Sequence, residues 1–199
     1  LEFRRVLFRS QTMGFEVATR TPTNDQFMIP GFGHPAIGDL SGDGMLSPVT
    51  GGAGKRMLVA MALAGKKYDY EHLVAAWDPK TGLMRAGFPK VMDDMMLNVS
   101  PIMVDLDGDG REDIVAGSGG YYVHAYTATG EARGFPHYTG GSVFGSASAG
   151  DFDGDGRVDI AVTTREGYVF IWKTEASTTS LATRGWLTYK GNPQRTGTR

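Results

Sequence analysis

Two stretches of nine residues share one pattern, Asp105-Leu106-Asp107-Gly108-Asp109-Gly110-Arg111-Glu112-Asp113 and Asp151-Phe152-Asp153-Gly154-Asp155-Gly156-Arg157-Val158-Asp159. Each stretch places four aspartates at the same spacing, with glycines between them. Like charges this close repel one another unless a cation neutralises them, and ligands that are all oxygen suit Ca2+ better than Zn2+ or Mg2+. A weaker copy occupies residues 39–47, with serines at its third and ninth positions. The sequence therefore predicts a repeated calcium-binding loop.

Short runs of small and apolar residues flank the acidic loops. They precede the loops at residues 35–38, 101–104 and 146–150, and they follow the complete loops at residues 113–116 and 159–162. A further run ends on an aromatic residue in each unit, at residues 74–77, 123–126 and 169–172. Because the runs of this last set have period two and end on an aromatic residue, each predicts a β-strand.

The length of the repeat predicts the architecture. Asp151 lies 46 residues after Asp105, whereas Asp105 lies 66 residues after Asp39, so the first unit carries an insertion that includes an apolar strand at residues 57–64. A unit of roughly 40 to 50 residues with several short strands is typical of a propeller blade, and helical periodicity is absent. We therefore expect an all-β fold, a partial β-propeller of about three to four blades, each a four-stranded antiparallel sheet.

Residues 144–162, which read FGSASAGDFDGDGRVDIAV, closely resemble the FG-GAP repeat, also called the VCBS-type repeat. This repeat builds the calcium-binding blades of integrin-alpha-like β-propellers. The resemblance extends over roughly residues 30–175, with a second copy of nearly equal quality at Asp105 and a degenerate one at Asp39. The resemblance thus implies the same fold and the same ion as the acidic loops do.

The resemblance also implies which residues bind the ion. In the family the acidic loop joins the first and second strands of a blade, and aspartates and one backbone carbonyl bind calcium. The first site maps onto the carboxylates of Asp105, Asp107, Asp109 and Asp113 and the carbonyl of Arg111. The second site maps onto Asp151, Asp153, Asp155 and Asp159 and the carbonyl of Arg157. The matching positions of the degenerate copy are Asp39, Ser41, Asp43, Met45 and Ser47. With two carboxylates fewer, this third loop is expected to bind weakly.

Two other kinds of loop share part of this pattern. Asp-Gly clusters also form ordinary hairpin turns, and for the Asp39 copy a turn and an ion site both stay open. An EF-hand loop begins in the same way but requires an acidic ligand at its twelfth position, where Thr50, Ala116 and Val162 stand. Strands rather than helices are also predicted beside the loops, so the EF-hand interpretation fails.

The chain divides into six predicted segments. Residues 1–10 resemble the translation of a sequencing-adapter oligonucleotide and are excluded from the fold. Residues 11–34 are predicted to be the remnant of a preceding blade, and residues 176–199 a C-terminal closing segment. The three blades are predicted at residues 35–99, 100–144 and 145–175. Since propellers close with four to eight blades, we expect the C-terminal part of a larger propeller whose other blades are partners of these.

Composition and motifs limit the classes of function that the sequence allows. The net charge of −2 provides no basic field for nucleic acid, and no apolar run is long enough to span a membrane as a helix. The four histidines lack metal-ligand spacing and no serine stands in a nucleophile elbow, so we expect no enzyme activity. The leading hypothesis is a bacterial, extracytoplasmic interaction or adhesion scaffold that binds a protein or glycan. The alternative is an accessory propeller portion of a secreted peptidase or polysaccharide lyase whose catalytic part is outside this sequence.

Overall fold

The computed structural model describes residues 29–30, 33–54, 72–96, 99–128, 134–181, 185–189 and 191–192. In this part the chain forms twelve β-strands and one short 3-10 helix, Thr178–Ser180, and the strands group into three antiparallel sheets. The all-β prediction is confirmed, with sheets of the kind that form propeller blades. The predicted adapter segment, residues 11–28 and the insertion strand at residues 57–64 lie outside the described residues.

The first sheet contains five strands in four positions. Its strands are β1 (Ile29–Pro30), β2 (Ala36–Gly38), β3 (Ser47–Ala53), β4 (His72–Ala76) and β5 (Lys90–Met92). β1 and β2 both pair with β3 along one edge, β1 beside the end of that strand and β2 beside its beginning. The order then continues through β4 to β5.

The second and third sheets follow the same antiparallel order. The second sheet contains β6 (Ile102–Val104), β7 (Asp113–Gly117), β8 (Tyr122–Tyr126) and β9 (His137–Tyr138). The third contains β10 (Ser148–Gly150), β11 (Arg157–Thr163) and β12 (Val169–Ser177). Each acidic loop therefore joins two consecutive, paired strands of one sheet, β2 to β3, β6 to β7 and β10 to β11.

The second sheet lies between the other two, and this position explains its composition. Side chains of a strand point alternately to opposite faces. On β7, Ile114 and Ala116 pack in a core with the first sheet, while Val115 packs in a second core with the third sheet. All five residues of β7 are buried for this reason. Burying each large aliphatic side chain contributes about 1.5 to 3 kcal/mol.

The third sheet has only one covered face among the described residues. Along β12, Phe170 and Trp172 pack toward the second sheet, whereas Val169 and Ile171 are 66% and 54% exposed. The amides of Met103 and Ala149 donate to the carbonyls of Trp186 and Leu187, at 2.9 Å each, so residues 186–187 connect the first strands of the second and third sheets. No helix in the described ranges is long and apolar enough to cross a bilayer.

Candidate metal centre

The first aspartate of each acidic loop organises the loop backbone. The carboxylate of Asp105 accepts the amide of Gly108 at 2.7 Å and that of Gly110 at 3.0 Å. The same two bonds recur in the other loops, from Gly154 and Gly156 to Asp151 and from Gly42 and Gly44 to Asp39. All three loops, including the degenerate one, therefore share one backbone conformation.

Glycines make this conformation possible. Gly108 and Gly110 have φ of 80° and 83°, and Gly154 and Gly156 have φ of 79° and 81°. Side chains disfavour this left-handed region, which glycine adopts without steric cost. A Cβ at any of these four positions would meet no atom within 4 Å, so the glycines are required by the backbone angle and not by lack of space.

The structure brings the first three aspartates of each complete loop together. Asp105, Asp107 and Asp109 each offer one carboxylate oxygen, and these oxygens lie within 4.8 Å of one another. The second group with this property among the described residues consists of Asp151, Asp153 and Asp155. Each group is close enough to share one ion, and its all-oxygen donor set suits a hard cation.

The fourth aspartate of each complete loop is buried at the start of the following strand. Asp113 and Asp159 are 5% and 1% exposed. One oxygen of Asp159 accepts the amide of Phe152 at 2.9 Å, but Oδ1 has no hydrogen-bond partner among the described residues. A buried carboxylate oxygen without a partner is costly. A cation bound within reach of this oxygen would remove that cost.

The electrostatics of the Asp105 loop point in the same direction. The pKa of Asp113 is raised to about 7, mainly by burial; the hydrogen bond from the Leu106 amide works against this rise, and the charges of Asp107, Asp105 and Asp109 add to it. The negative charge of Asp113 is thus destabilised first by burial and then by repulsion from the other three aspartates. A bound cation would relieve that repulsion. The carbonyl ligands predicted for Arg111, Arg157 and Met45 stay predictions.

Sequence reasoning missed two basic side chains at the loops. The Nζ of Lys173 on β12 lies 2.5 Å from Asp153 Oδ2 and 2.6 Å from Asp155 Oδ2. These contacts raise the pKa of Lys173 above its usual value, and the Lys173 contact lowers the pKa of Asp155. Lys173 is placed there by strand register, because it pairs across the sheet with Asp159.

The other missed residue is Arg85, at the Asp39 loop. Its guanidinium donates to the hydroxyl of Ser47 at 2.7 Å and to the hydroxyl of Ser41. These are the two loop positions where serines stand in place of aspartates. In this loop the carboxylate of Asp43 still accepts the Met45 amide at 3.0 Å, as its counterparts do in the complete loops. The structure therefore shows a loop of the same shape with an arginine at its serines.

A buried polar cluster away from the loops has the residue types of a catalytic triad but not its arrangement. His124 Nε2 lies 2.5 Å from Asp93 Oδ1, and the Ser118 hydroxyl donates to the same oxygen at 2.7 Å. In a triad the serine pairs with the histidine, which acts as its base. Here both side chains contact the same oxygen of Asp93, and the Ser118 hydroxyl also lies within hydrogen-bond distance of the Tyr122 carbonyl, at 3.2 Å.

Comparison with protein families agrees with the loop geometry. Residues 105–162 match a family model described as FG-GAP-like repeat. The match runs from the first aspartate of one complete loop through the strand that follows the other. No curated protein and no solved structure shows a significant match to this chain. The FG-GAP repeat is a non-catalytic repeat type that forms propeller-like domains. Residues 105–162, which contain both complete acidic loops, thus form an FG-GAP-like repeat.

Proposed function

We propose that the protein is a calcium-binding repeat domain that acts as a non-catalytic, extracytoplasmic interaction or adhesion scaffold. The observation that carries calcium binding is the convergence of three carboxylates in each complete loop. The buried Oδ1 of Asp159, which lacks a hydrogen-bond partner among the described residues, supports it. Ca2+ would be held by Asp105, Asp107, Asp109 and Asp113 in one loop and by Asp151, Asp153, Asp155 and Asp159 in the other.

The ion would supply two positive charges, which offset half of the charge of the four carboxylates and reduce their mutual repulsion. The chain itself shapes the loop: the glycines allow the backbone to turn, and the first aspartate of each loop accepts hydrogen bonds from the loop amides. Both loops lead directly into a buried strand, β7 or β11. Ordering the loop therefore stabilises the start of a strand that packs in the core between sheets.

Calcium binding of this kind favours a location outside the cytoplasm. Extracellular calcium modules bind with dissociation constants of roughly 0.1 to 1 mM, so their sites fill only where calcium approaches millimolar concentration. FG-GAP repeats typically belong to extracellular domains. The accessory role in a secreted enzyme stays a prediction, since no described contact favours it over the scaffold.

Calorimetric titration of calcium into the calcium-free protein tests the binding. We expect two sites in the wild-type protein and one site in each of two isosteric variants, Asp107→Asn with Asp109→Asn, and Asp153→Asn with Asp155→Asn. As a matched control, Asp78→Asn removes a carboxylate from an exposed turn and should leave both sites intact. If the wild-type protein gives no binding heat and no change in melting temperature with calcium, the proposal is wrong.

The scaffold role requires a separate measurement. Immobilised protein would be presented with a panel of purified glycans and extracellular proteins, in calcium and in chelator. We expect binding in calcium that is lost in chelator and in the variant lacking both complete loops. If the loop variant and the wild type bind the glycan or protein equally, the interaction does not depend on calcium, and a calcium-dependent scaffold is contradicted.

A further inference from the structure

The three acidic loops differ in the basic side chain that each one meets. In the Asp151 loop, the Lys173 ammonium lies between two ligand carboxylates, those of Asp153 and Asp155. Lys173 reaches them from the neighbouring strand, where it is the cross-strand partner of Asp159. A positive charge that belongs to the chain thus occupies the loop where a calcium ion would bind.

The Asp105 loop meets no such lysine at the equivalent place. Ile114 pairs with Tyr126 just as Ile160 pairs with Trp172, so the residue matching Lys173 is Thr127, which is uncharged. Among the described residues, the ion pair that reaches this loop comes from its own Arg111, whose Nε is 3.9 Å from Asp109 Oδ2. Both of those side chains are about half exposed, so this contact contributes little.

The Asp39 loop has fewer carboxylates than the other two loops and contacts an arginine. It has two carboxylates instead of four, and the Arg85 guanidinium bonds the two serines that replace the others. Guanidinium is planar and presents several donors in a fixed geometry, so two hydroxyl contacts hold it well. The Arg85 guanidinium therefore contacts both loop positions at which a serine replaces an aspartate.

We propose that Lys173 and Arg85 are tethered cations that give the three loops different affinities for Ca2+. The Asp105 loop binds Ca2+ most tightly, the Asp151 loop binds it more weakly because Lys173 must first be displaced, and the Asp39 loop is closed to the ion by Arg85. This inference rests on the calcium binding proposed above. It makes Lys173 an affinity-determining residue that touches no ion itself.

The competition at the Asp151 loop is of limited strength. The Lys173 side chain is 55% exposed, and its partners Asp153 and Asp155 are 48% and 34% exposed. Exposed ion pairs are weak because water screens them and long side chains lose freedom. The ammonium can also reach only two of the four carboxylates. We therefore expect Lys173 to weaken calcium binding by roughly threefold to tenfold, not to abolish it.

The test isolates the Asp151 loop by placing Asp107→Asn and Asp109→Asn in every protein. In that background, Lys173→Met should lower the calcium dissociation constant by roughly threefold to tenfold, measured by calorimetry. Lys173→Arg keeps the charge and should not tighten binding. Lys80→Met removes the same charge from an exposed turn of the first sheet and should leave the constant unchanged.

A second readout follows Lys173 directly. Reductive methylation with 13C-formaldehyde keeps the charge and labels each lysine with methyl groups visible by NMR. The Lys173 signal, identified by its absence in Lys173→Arg, should shift when calcium fills the Asp151 loop, and the Lys80 signal should not.

The outcomes separate this inference from the proposed function. An unchanged dissociation constant in Lys173→Met, or a Lys173 signal that calcium does not move, overturns the tethered cation while calcium binding stands. Absence of calcium binding in the wild-type protein overturns the proposed function and this inference together.

Discussion

The carboxylate of Glu112 accepts the backbone amide of Asp39 at 2.5 Å, and the amide of Glu112 donates to the carbonyl of Asp39 at 2.9 Å. The two residues are 73 positions apart and belong to the acidic loops of neighbouring sheets. Glu112 is 8% exposed. The first two loops are therefore joined by a buried pair of hydrogen bonds, one of which depends on a side chain.

Removing that side chain should destabilise the contact between the first and second sheets. Glu112→Ala leaves the buried Asp39 amide without its carboxylate, so we expect the free energy of unfolding to fall by about 1 to 3 kcal/mol. Chemical denaturation in chelator measures this without a contribution from calcium. Glu175→Ala, at an exposed position of β12, is the control. A Glu112 variant as stable as that control would show that the bond contributes nothing.

The loop glycines should be needed for calcium binding as well as for stability. Gly154→Ala forces a side chain into φ of 79° and should cost about 1 to 2 kcal/mol in folding. Because Gly154 shapes the loop, the Gly154→Ala substitution should also weaken calcium binding, measured by calorimetry. Gly167→Ala has φ of 91° and open space but lies outside the loops, so it should lose stability while keeping its calcium affinity. Equal calcium affinities in the two variants would contradict this account.

Chelation should lower the melting temperature, and calcium should restore it. A site filled at one to ten times its dissociation constant stabilises the folded state by about 0.4 to 1.4 kcal/mol. Thermal melts in EDTA and in rising calcium measure the shift. Magnesium at the same concentration should restore less, because it favours a small octahedral site that keeps its waters. An identical melt in EDTA and calcium would argue against an ion in either loop.

His137 should make stability depend on pH. Its ring lies between Phe135 and Trp172, and burial lowers its pKa below the ordinary value of 6.5. As pH falls through 6.5, the unfolded chain takes up this proton more readily than the folded state, so stability is lost. His137→Phe keeps an aromatic ring and removes the titration. We expect its free energy of unfolding to decline less between pH 7.5 and 5.5 than that of the wild type; equal declines would rule out a contribution from His137.

The Asp39 loop should become a calcium site when its chemistry is restored. Its backbone already has the conformation of the complete loops. The triple variant Ser41→Asp, Ser47→Asp and Arg85→Met supplies four carboxylates and removes the guanidinium, so the calcium stoichiometry should rise from two to three. The same variant with asparagines in place of the new aspartates is the uncharged control. A stoichiometry that stays at two would show that loop shape and charge are insufficient.

The acidic loops could be predicted from the sequence because their essential contacts are local. The bonds from Gly108 and Gly110 to Asp105 span three and five residues, so spacing alone specifies them. The strands could also be predicted from the sequence, since the backbone itself imposes a period of two residues on a strand. These features determine the repeat, the all-β fold and the position of the loop between two strands.

Only the tertiary structure decided what surrounds each loop. Lys173 reaches Asp155 across 18 residues, Arg85 reaches Ser41 across 44, and Glu112 reaches Asp39 across 73. Such contacts depend on strand register and on which sheet lies beside which, and no local pattern encodes either. Loops that look alike in sequence therefore differ in the charge they meet, because that charge arrives from a distant part of the chain.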